Sequence, residues 1–399
     1  MNSLLKFFSS LKLTVVLLTL SLALIFFGTL DQVEYGIWET QKRYFESFFV
    51  IWSYPEQAAG SSFLNWIKIP MPGGYLLGGF LLLNLFAAHT TRFKLTWKKS
   101  GIFAIHLGLI LLLISELLTD IMSKESQMSV NEGQRKNYSE TALENELVLI
   151  NRSNPNFDTV HSISEKRLES GKVIDIPDSN LSFRTIKYFP NARIARSTKT
   201  TTLKDNLANR GVVEKIPIQV IERPIDYAID AINTATAYIE IFKRSSNNQE
   251  TDDSLGIWLV SNVIDERFPN QIVVSGAEKF ELAMRFKRTY YPFDVELVDF
   301  THEKYPGTDI PYNFSSAVIL HDSRMNTKQQ ALIYMNHPLR YAGLTFYQAS
   351  FANEDTTSIF QVVKNPGWLL PYISVLLMGL GMIFQFGMHF FKFSKKKKV

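Results

Sequence analysis

The sequence of 399 residues contains no cysteine. That excludes disulfide staples, thiolate zinc sites and thiol–disulfide chemistry by the chain itself. Any soluble domain must therefore be held by its own core, and the chain has the length to build one. The net charge is also small, +4, because 42 basic residues nearly balance 38 acidic ones. The basic residues that produce it gather at Lys98-Lys99 and at Lys395 to Lys398. Both clusters abut apolar runs, which marks them as membrane-flank charge and not as a nucleic-acid patch. No phosphate-binding loop, glycine-rich nucleotide fingerprint or internal repeat occurs. No pair of histidines has metal-site spacing, and no Ser/His/Asp arrangement stands out.

What the chain does have is long apolar runs, concentrated at its two ends. A hydrocarbon core of about 30 Å needs roughly 20 apolar residues in a helix. Four runs meet or approach that length: about 13–30, 74–89, 102–118 and 368–391. The first has the basic start and apolar stretch of a signal peptide. No small-residue cleavage pattern follows Thr29-Leu30-Asp31, so it reads as a retained helix. The second is short and glycine-rich, as a re-entrant segment would be. The basic residues Arg92, Lys94, Lys98 and Lys99 behind it favour a span with a cytoplasmic exit. Lys6 and Lys12 place the N-terminus inside, and Lys392 with Lys395 to Lys398 places the C-terminus inside. These clusters agree only if all four segments span. The loop 31–73 and the region 119–367 then lie outside.

The expected organisation is a membrane part over 1–119 with three transmembrane helices, an extracytoplasmic domain over 120–367, and a last helix with a basic cytoplasmic tail over 368–399. The external domain reads as mainly β. Short alternating or β-branched runs recur between turn signals, among them Glu144 to Arg152, Leu181 to Phe189, Thr236 to Arg244, Pro292 to Phe300 and Thr357 to Asn365. A sandwich or an open barrel is the expected architecture. The polar stretch 196–210 reads as a mobile connection.

Seven histidines are present. Three of them, His89, His106 and His389, lie in or beside apolar segments, where an ionisable side chain is costly and suggests a function. His106 is the sharpest case, one and a half turns inside the third segment. Two roles fit it. A neutral imidazole can donate to a carbonyl or hydroxyl of another helix, or one ring nitrogen can ligate a haem iron. Gly108 beside it leaves room for a flat ligand or for a close neighbouring helix. His89 and His389 are weaker ligand candidates, since interfacial histidines often only snorkel. Glu116, at the other end of the third segment, reaches the interface.

Several of these segments resemble the ResB (also called CcsB) family. They are IHLGLILLLISELL in the third helix, KLTVVLLTLSLALIFFGTLDQ in the first, DFTHEKYPGT and FSSAVILHD in the external domain, and NHPLRYAGLTFYQASF followed by KNPGW before the last helix. The resemblance spans most of the membrane part and the last third of the external domain. It implies the ResB-type subunit of the System II cytochrome c synthase. Such a subunit works with a ResC/CcsA-type membrane partner in a bacterial plasma membrane. The pair moves haem b outward and attaches it to the Cys-x-x-Cys-His motif of apocytochrome c. The resemblance places the family's haem-ligating histidine on His106, with the second axial ligand from the partner. Catalytic power in this haem lyase would rest mainly with the partner. Arg92, Lys94, Lys98 and Lys99 are placed to neutralise haem propionates. Asn336, Pro338, Tyr347 and Gln348 are candidates for substrate or partner contact, with turn and core roles as the alternative. A scaffold that stabilises the partner without touching haem remains the competing reading.

Overall fold

The computed structural model describes residues 3–54, 66–92, 96–196, 207–226, 233–244, 253–267, 271–276, 278–307, 311–353 and 356–396. The chain divides into two compact units. One holds Met1–Lys124 and Lys364–Val399; the other holds Glu125–Asp226 and Ile232–Val363.

In the first unit the apolar runs form four helices: α1 (Leu11–Tyr44), α2 (Gly74–Arg92), α3 (Ser100–Met122) and α4 (Leu370–Lys396). Three helices are long and apolar enough to cross a membrane: Leu11–Tyr44, Trp97–Met122 and Leu370–Phe393. Helix α2, which is unbroken and carries the polar Asn84 midway, is not among them. The few hydroxyls inside α1 bond back to the preceding turn, Thr19 to the Val15 carbonyl and Thr29 to the Ile25 carbonyl. Asn84 answers a break in the chain. A short helix, Ser3–Phe8, ends just before α1 and leaves carbonyls without helical partners. The Asn84 amide donates to the Phe8 and Ser10 carbonyls, and Thr14 donates to Asn84 Oδ1 at 2.6 Å.

Helix α1 runs well past Leu30, where the sequence places its end. It turns at Gly36, whose φ of 70° and ψ of 176° are not helical. Beyond it, Thr40 and Tyr44 come back against Gly28. The Tyr44 hydroxyl donates to the buried Asp31 carboxylate at 2.6 Å. The expected loop 31–73 is therefore largely structured. It ends in a hairpin of β1 (Phe49–Ser53) and β2 (Lys68–Pro72), which buries Val50, Trp52 and Met71 against Leu24 and Leu77.

The second unit is mainly β. Its strands begin with β3 (Lys124–Asn131), β4 (Arg135–Asn151), β5 (Thr159–Ser164), β6 (Ile174–Asp175), β7 (Leu181–Phe189), β8 (Ala192–Arg196) and β9 (Ile218–Glu222). They continue with β10 (Thr236–Lys243), β11 (Asp253–Ser261), β12 (Gln271–Ser275), β13 (Glu278–Lys304), β14 (Pro311–Asp322), β15 (Thr327–Tyr334), β16 (Leu339–Tyr341), β17 (Leu344–Ala352) and β18 (Thr357–Lys364). Strands β11-β10-β7-β6 form one antiparallel sheet and β8-β9 another. The large sheet has the order β15-β14-β13-β4-β3-β18-β17-β16, with β12 on β13 and β5 on β4. Of the polar stretch 196–210, residues 197–206 lie outside the described residues.

Strand β13 organises this unit, because its alternation serves two cores. Phe280, Leu282 and Met284 face a core shared with β4, β7, β10 and β11. Phe293, Val295 and Leu297 face a second core shared with β3, β14, β17 and β18. Between them the pairing with β4 shifts register, from Tyr290 to Val295, which permits the change of partner. A bridge joins Tyr334, at the end of β15, to His337, and another joins Glu132 to Leu297.

Candidate functional site

Helices α3 and α4 meet on small residues. Gly101, Gly108 and Ser115 recur every seventh position on α3 and are its buried residues. They face Ser374 and Gly381 of α4. A Cβ on Gly101 would lie 2.6 Å from the Gly381 carbonyl oxygen, and one on Gly108 would lie 2.8 Å from that of Ser374. This is close backbone approach of the kind that holds helices together in lipid. Of the two occupants expected beside Gly108, a helix takes the space.

His106 sits on α3, two residues before Gly108. Its ring meets that of His89 of α2 edge to face, with centroids 4.8 Å apart and planes at 88°. His89 also lies beside Phe103, at 5.7 Å. The His106 Nδ1 atom is buried and has no hydrogen-bond partner among the described residues. His389, on α4, pairs through Nε2 with Gln385 Nε2 at 3.0 Å, and Gln385 lies against Gly101. Thus two of the three membrane histidines come together, and the third is held by an amide one turn away. The sequence reading does not single out Gln385. Its signal is a polar amide inside an apolar helix, four residues before a histidine.

The His89–His106 geometry limits what the pair can hold. Two imidazoles bound to opposite sides of one metal have ring centroids about 6 Å apart, given metal–nitrogen bonds of about 2 Å. At 4.8 Å and perpendicular, the two rings are too close to be the two axial ligands of one haem. One can ligate while the other supports it from the side. Lys98 and Lys99 are exposed on a short 3₁₀ turn, Trp97–Lys99, directly before α3. Lys94 and the Arg92 side chain lie outside the described residues. Glu116 is exposed on α3.

The four candidates in the external unit are placed by two tight turns. Asn336 adopts φ 61° between Tyr334 and His337, whose rings stack at 4.4 Å. Pro338 follows, half-buried. Ala342 and Gly343, at φ 50° and 76°, form the two-residue turn that joins β16 to β17. Phe346 is then fully buried and Tyr347 faces outward, 38 % exposed. Gln348 is a clamp. Its Oε1 accepts from Ser316 of β14 at 2.6 Å, and its Nε2 donates to Ser358 of β18 at 3.0 Å. Asn336 and Gln348 thus have structural work to do, and Tyr347 is the candidate left free for contact.

Residues 257–359 match the ResB-like family. Protein NrfI of Wolinella succinogenes is 30% identical over 94 residues, 24% of this chain and 10% of NrfI. The match therefore spans about a tenth of that relative's length. Among solved structures, human GIVD cytosolic phospholipase A2 in complex with methyl gamma-linolenyl fluorophosphonate aligns with 61% of this chain and 33% of its own, at 11% identity. Its TM-score of 0.10 bears on neither fold nor activity.

The ResB-like region runs from β11 to the start of β18, and includes most of the second core but not Met128, Val130, Phe360 or Val362. His89, His106 and His389 lie outside it. Two of its carboxylates are held by neighbouring side chains. Asp322, whose side chain is fully buried, takes two hydrogen bonds from the Arg324 guanidinium and one from the Tyr341 hydroxyl. Hydrogen bonding to Arg324 and then Tyr341 holds the Asp322 carboxyl far below the usual range. This triad ties the β14–β15 turn to β16. Glu296 lies 2.6 Å from His321 Nε2 and 3.0 Å from Arg135 Nε, and those partners lower its pKa, His321 most. Among the described residues, no group of three His, Asp or Glu side chains is placed to hold a metal ion.

Proposed function

We propose that this chain is a ResB-type subunit of a cytochrome c synthase. It would act with a ResC/CcsA-type membrane partner to carry haem outward and present it to the Cys-x-x-Cys-His motif of apocytochrome c. The observation that carries the reading is the ResB-like region over the second β core, in a chain that also has three helices fit to cross a membrane. In this reading α2 crosses as well. Both termini are cytoplasmic, and the β unit lies outside the plasma membrane.

Haem is cargo here. His106 is the ligand this chain offers, through one imidazole nitrogen. The contact with His89 fixes the ring's orientation and leaves the opposite face of the iron to a histidine of the partner. That division is favoured by the 4.8 Å centroid separation, which is too short for both ligands to come from this chain. Lys98 and Lys99, with Arg92 and Lys94 nearby in sequence, supply charge for the propionates on the cytoplasmic side. The external unit brings no thiol, so it can hold a reduced apocytochrome without forming mixed disulfides.

A second reading is that the chain is a scaffold or apocytochrome-binding subunit. It is favoured by the position of the family match, which lies in the external unit and not on the histidine-bearing helices. Maturation of a reporter cytochrome c in cells lacking the native subunit separates the two. Haem delivery predicts that His106→Ala abolishes covalent haem attachment at normal protein levels. Full maturation by that variant would leave the scaffold reading.

A further inference from the structure

The β1–β2 hairpin has an unexplained outer face. Its inner face, Val50, Trp52 and Met71, packs on α1 and α2, with the Trp52 ring 4.8 Å from that of Phe27. The other face is exposed and apolar: Phe49 is 74 % exposed and Ile51 53 %, with Trp66, just before β2, at 76 %. A patch of that character on water would be a liability.

The depth of this hairpin follows from its contacts. Gly74, the first residue of α2, sits against the Phe45 backbone, and the Gly73 amide donates to the Phe48 carbonyl at 2.8 Å. On α1 the hairpin meets Leu24 and Phe27. At 1.5 Å per residue, those positions lie about 20–24 Å along the helix from Leu11. If α1 and α2 span, those contacts fall in the outer third of a hydrocarbon core of about 30 Å, just beneath the headgroups. At the same level α1 is itself apolar where exposed: Leu22 and Phe26 are 68 % and 59 % exposed. Lys42 and Lys68 are exposed on the adjoining helix and on the hairpin itself. Bare strand edges are not tolerated within hydrocarbon but are tolerated at the headgroup boundary. There the Arg43 guanidinium already donates to the Ile51 carbonyl at 3.3 Å.

We infer that the β1–β2 hairpin is a lipid-interface anchor. Phe49, Ile51 and Trp66 lie among the upper acyl chains of the outer leaflet, and Lys42 and Lys68 face phospholipid phosphates. Aromatic and lysine side chains are suited to that boundary. The inference rests on the spanning reading of α1 and α2 given above.

The absence of native cysteine makes the test direct. Phe49→Cys, Phe26→Cys and Phe157→Cys are each labelled with a small fluorophore in the full chain, reconstituted in phosphatidylcholine nanodiscs. Spin-labelled lipids then quench from shallow or deep chain positions. Phe157, in the β unit, is 61 % exposed and reports water. The labels at 49 and at 26, which lie at similar depth, are both expected to be quenched several-fold more by the shallow probe than the label at 157. A label at 49 that no lipid probe quenches, with 26 quenched, overturns the anchor and leaves the spans. If iodide in water also fails to reach that label, protein covers the face instead. Loss of quenching at both 49 and 26 would refute the spanning reading itself.

Discussion

Gly108→Leu tests the α3–α4 seam. The first carbon of the new side chain would lie 2.5 Å from Met378 Cγ and 2.8 Å from the Ser374 carbonyl oxygen. The methionine side chain can swing away, but the carbonyl is backbone. It sits roughly 0.6 Å inside ordinary van der Waals contact, so α4 must retreat. Overpacking of this kind costs about 1–3 kcal/mol, and each 1.4 kcal/mol is about tenfold in an equilibrium. The seam can be read by a cysteine pair in this cysteine-free chain. A side chain at 381 would itself press on the Gly101 carbonyl, so the reporter is placed at the end of the seam: a Cβ on Gly367 lies 4.0 Å from the Thr119 hydroxyl oxygen with no contact under 3.4 Å, and the pair Thr119→Cys/Gly367→Cys should cross-link readily in membranes. Adding Gly108→Leu should slow cross-linking about tenfold or more. Gly379→Leu, where a Cβ meets nothing within 4 Å, should not. Equal cross-linking rates with and without Gly108→Leu would refute the close-packed seam.

Three further outcomes follow from the external unit. Asp322 has a folded pKa below its unfolded value, so its stabilising effect is complete above about pH 4 and is lost as pH falls toward the folded value. Urea midpoints should therefore drop more steeply below pH 4 in the wild type than in Asp322→Asn; parallel pH profiles would contradict the triad. Gln348→Leu removes the amide from Ser316 and Ser358, which keep their mutual hydrogen bond at 2.8 Å, and should cost about 1 kcal/mol by urea unfolding. Arg285→Met removes the partner of the buried Glu146, 2.9 Å away, and should cost about 3–5 kcal/mol; a neutral effect would mean that the Ser162 hydroxyl suffices.

The helices were legible because membrane length and apolarity are one-dimensional signals. The turn at Gly36 was not. Nothing local in Tyr35-Gly36-Ile37 announces that Tyr44 will return to Asp31, thirteen residues back, since that pairing is tertiary. Strands with clean alternation, such as Leu181–Phe189 and Thr357–Lys364, were found close to their observed bounds. Strand β13 was read only over Pro292 to Phe300. Its first half, through Arg285, Lys287 and Arg288, carries charges that pair across to Glu146, Glu144 and Glu140 of β4. Those cross-strand partners make a charged strand stable, and no window along one strand contains them. At the candidate site, the three membrane histidines stood out individually. Which two would meet depends on the rotation of α2 against α3, which the sequence pattern does not specify.

That His106 holds haem together with a partner histidine is tested most directly by an optical spectrum. The purified chain, co-expressed with a ResC/CcsA-type partner, is measured as wild type, His106→Ala and His89→Ala. A bis-histidine Soret band is expected in the wild type. His106→Ala should weaken it, and added imidazole should restore it. His89→Ala should retain the band with altered intensity. An unchanged spectrum and haem load in His106→Ala would contradict the ligand role and leave the chain as a scaffold.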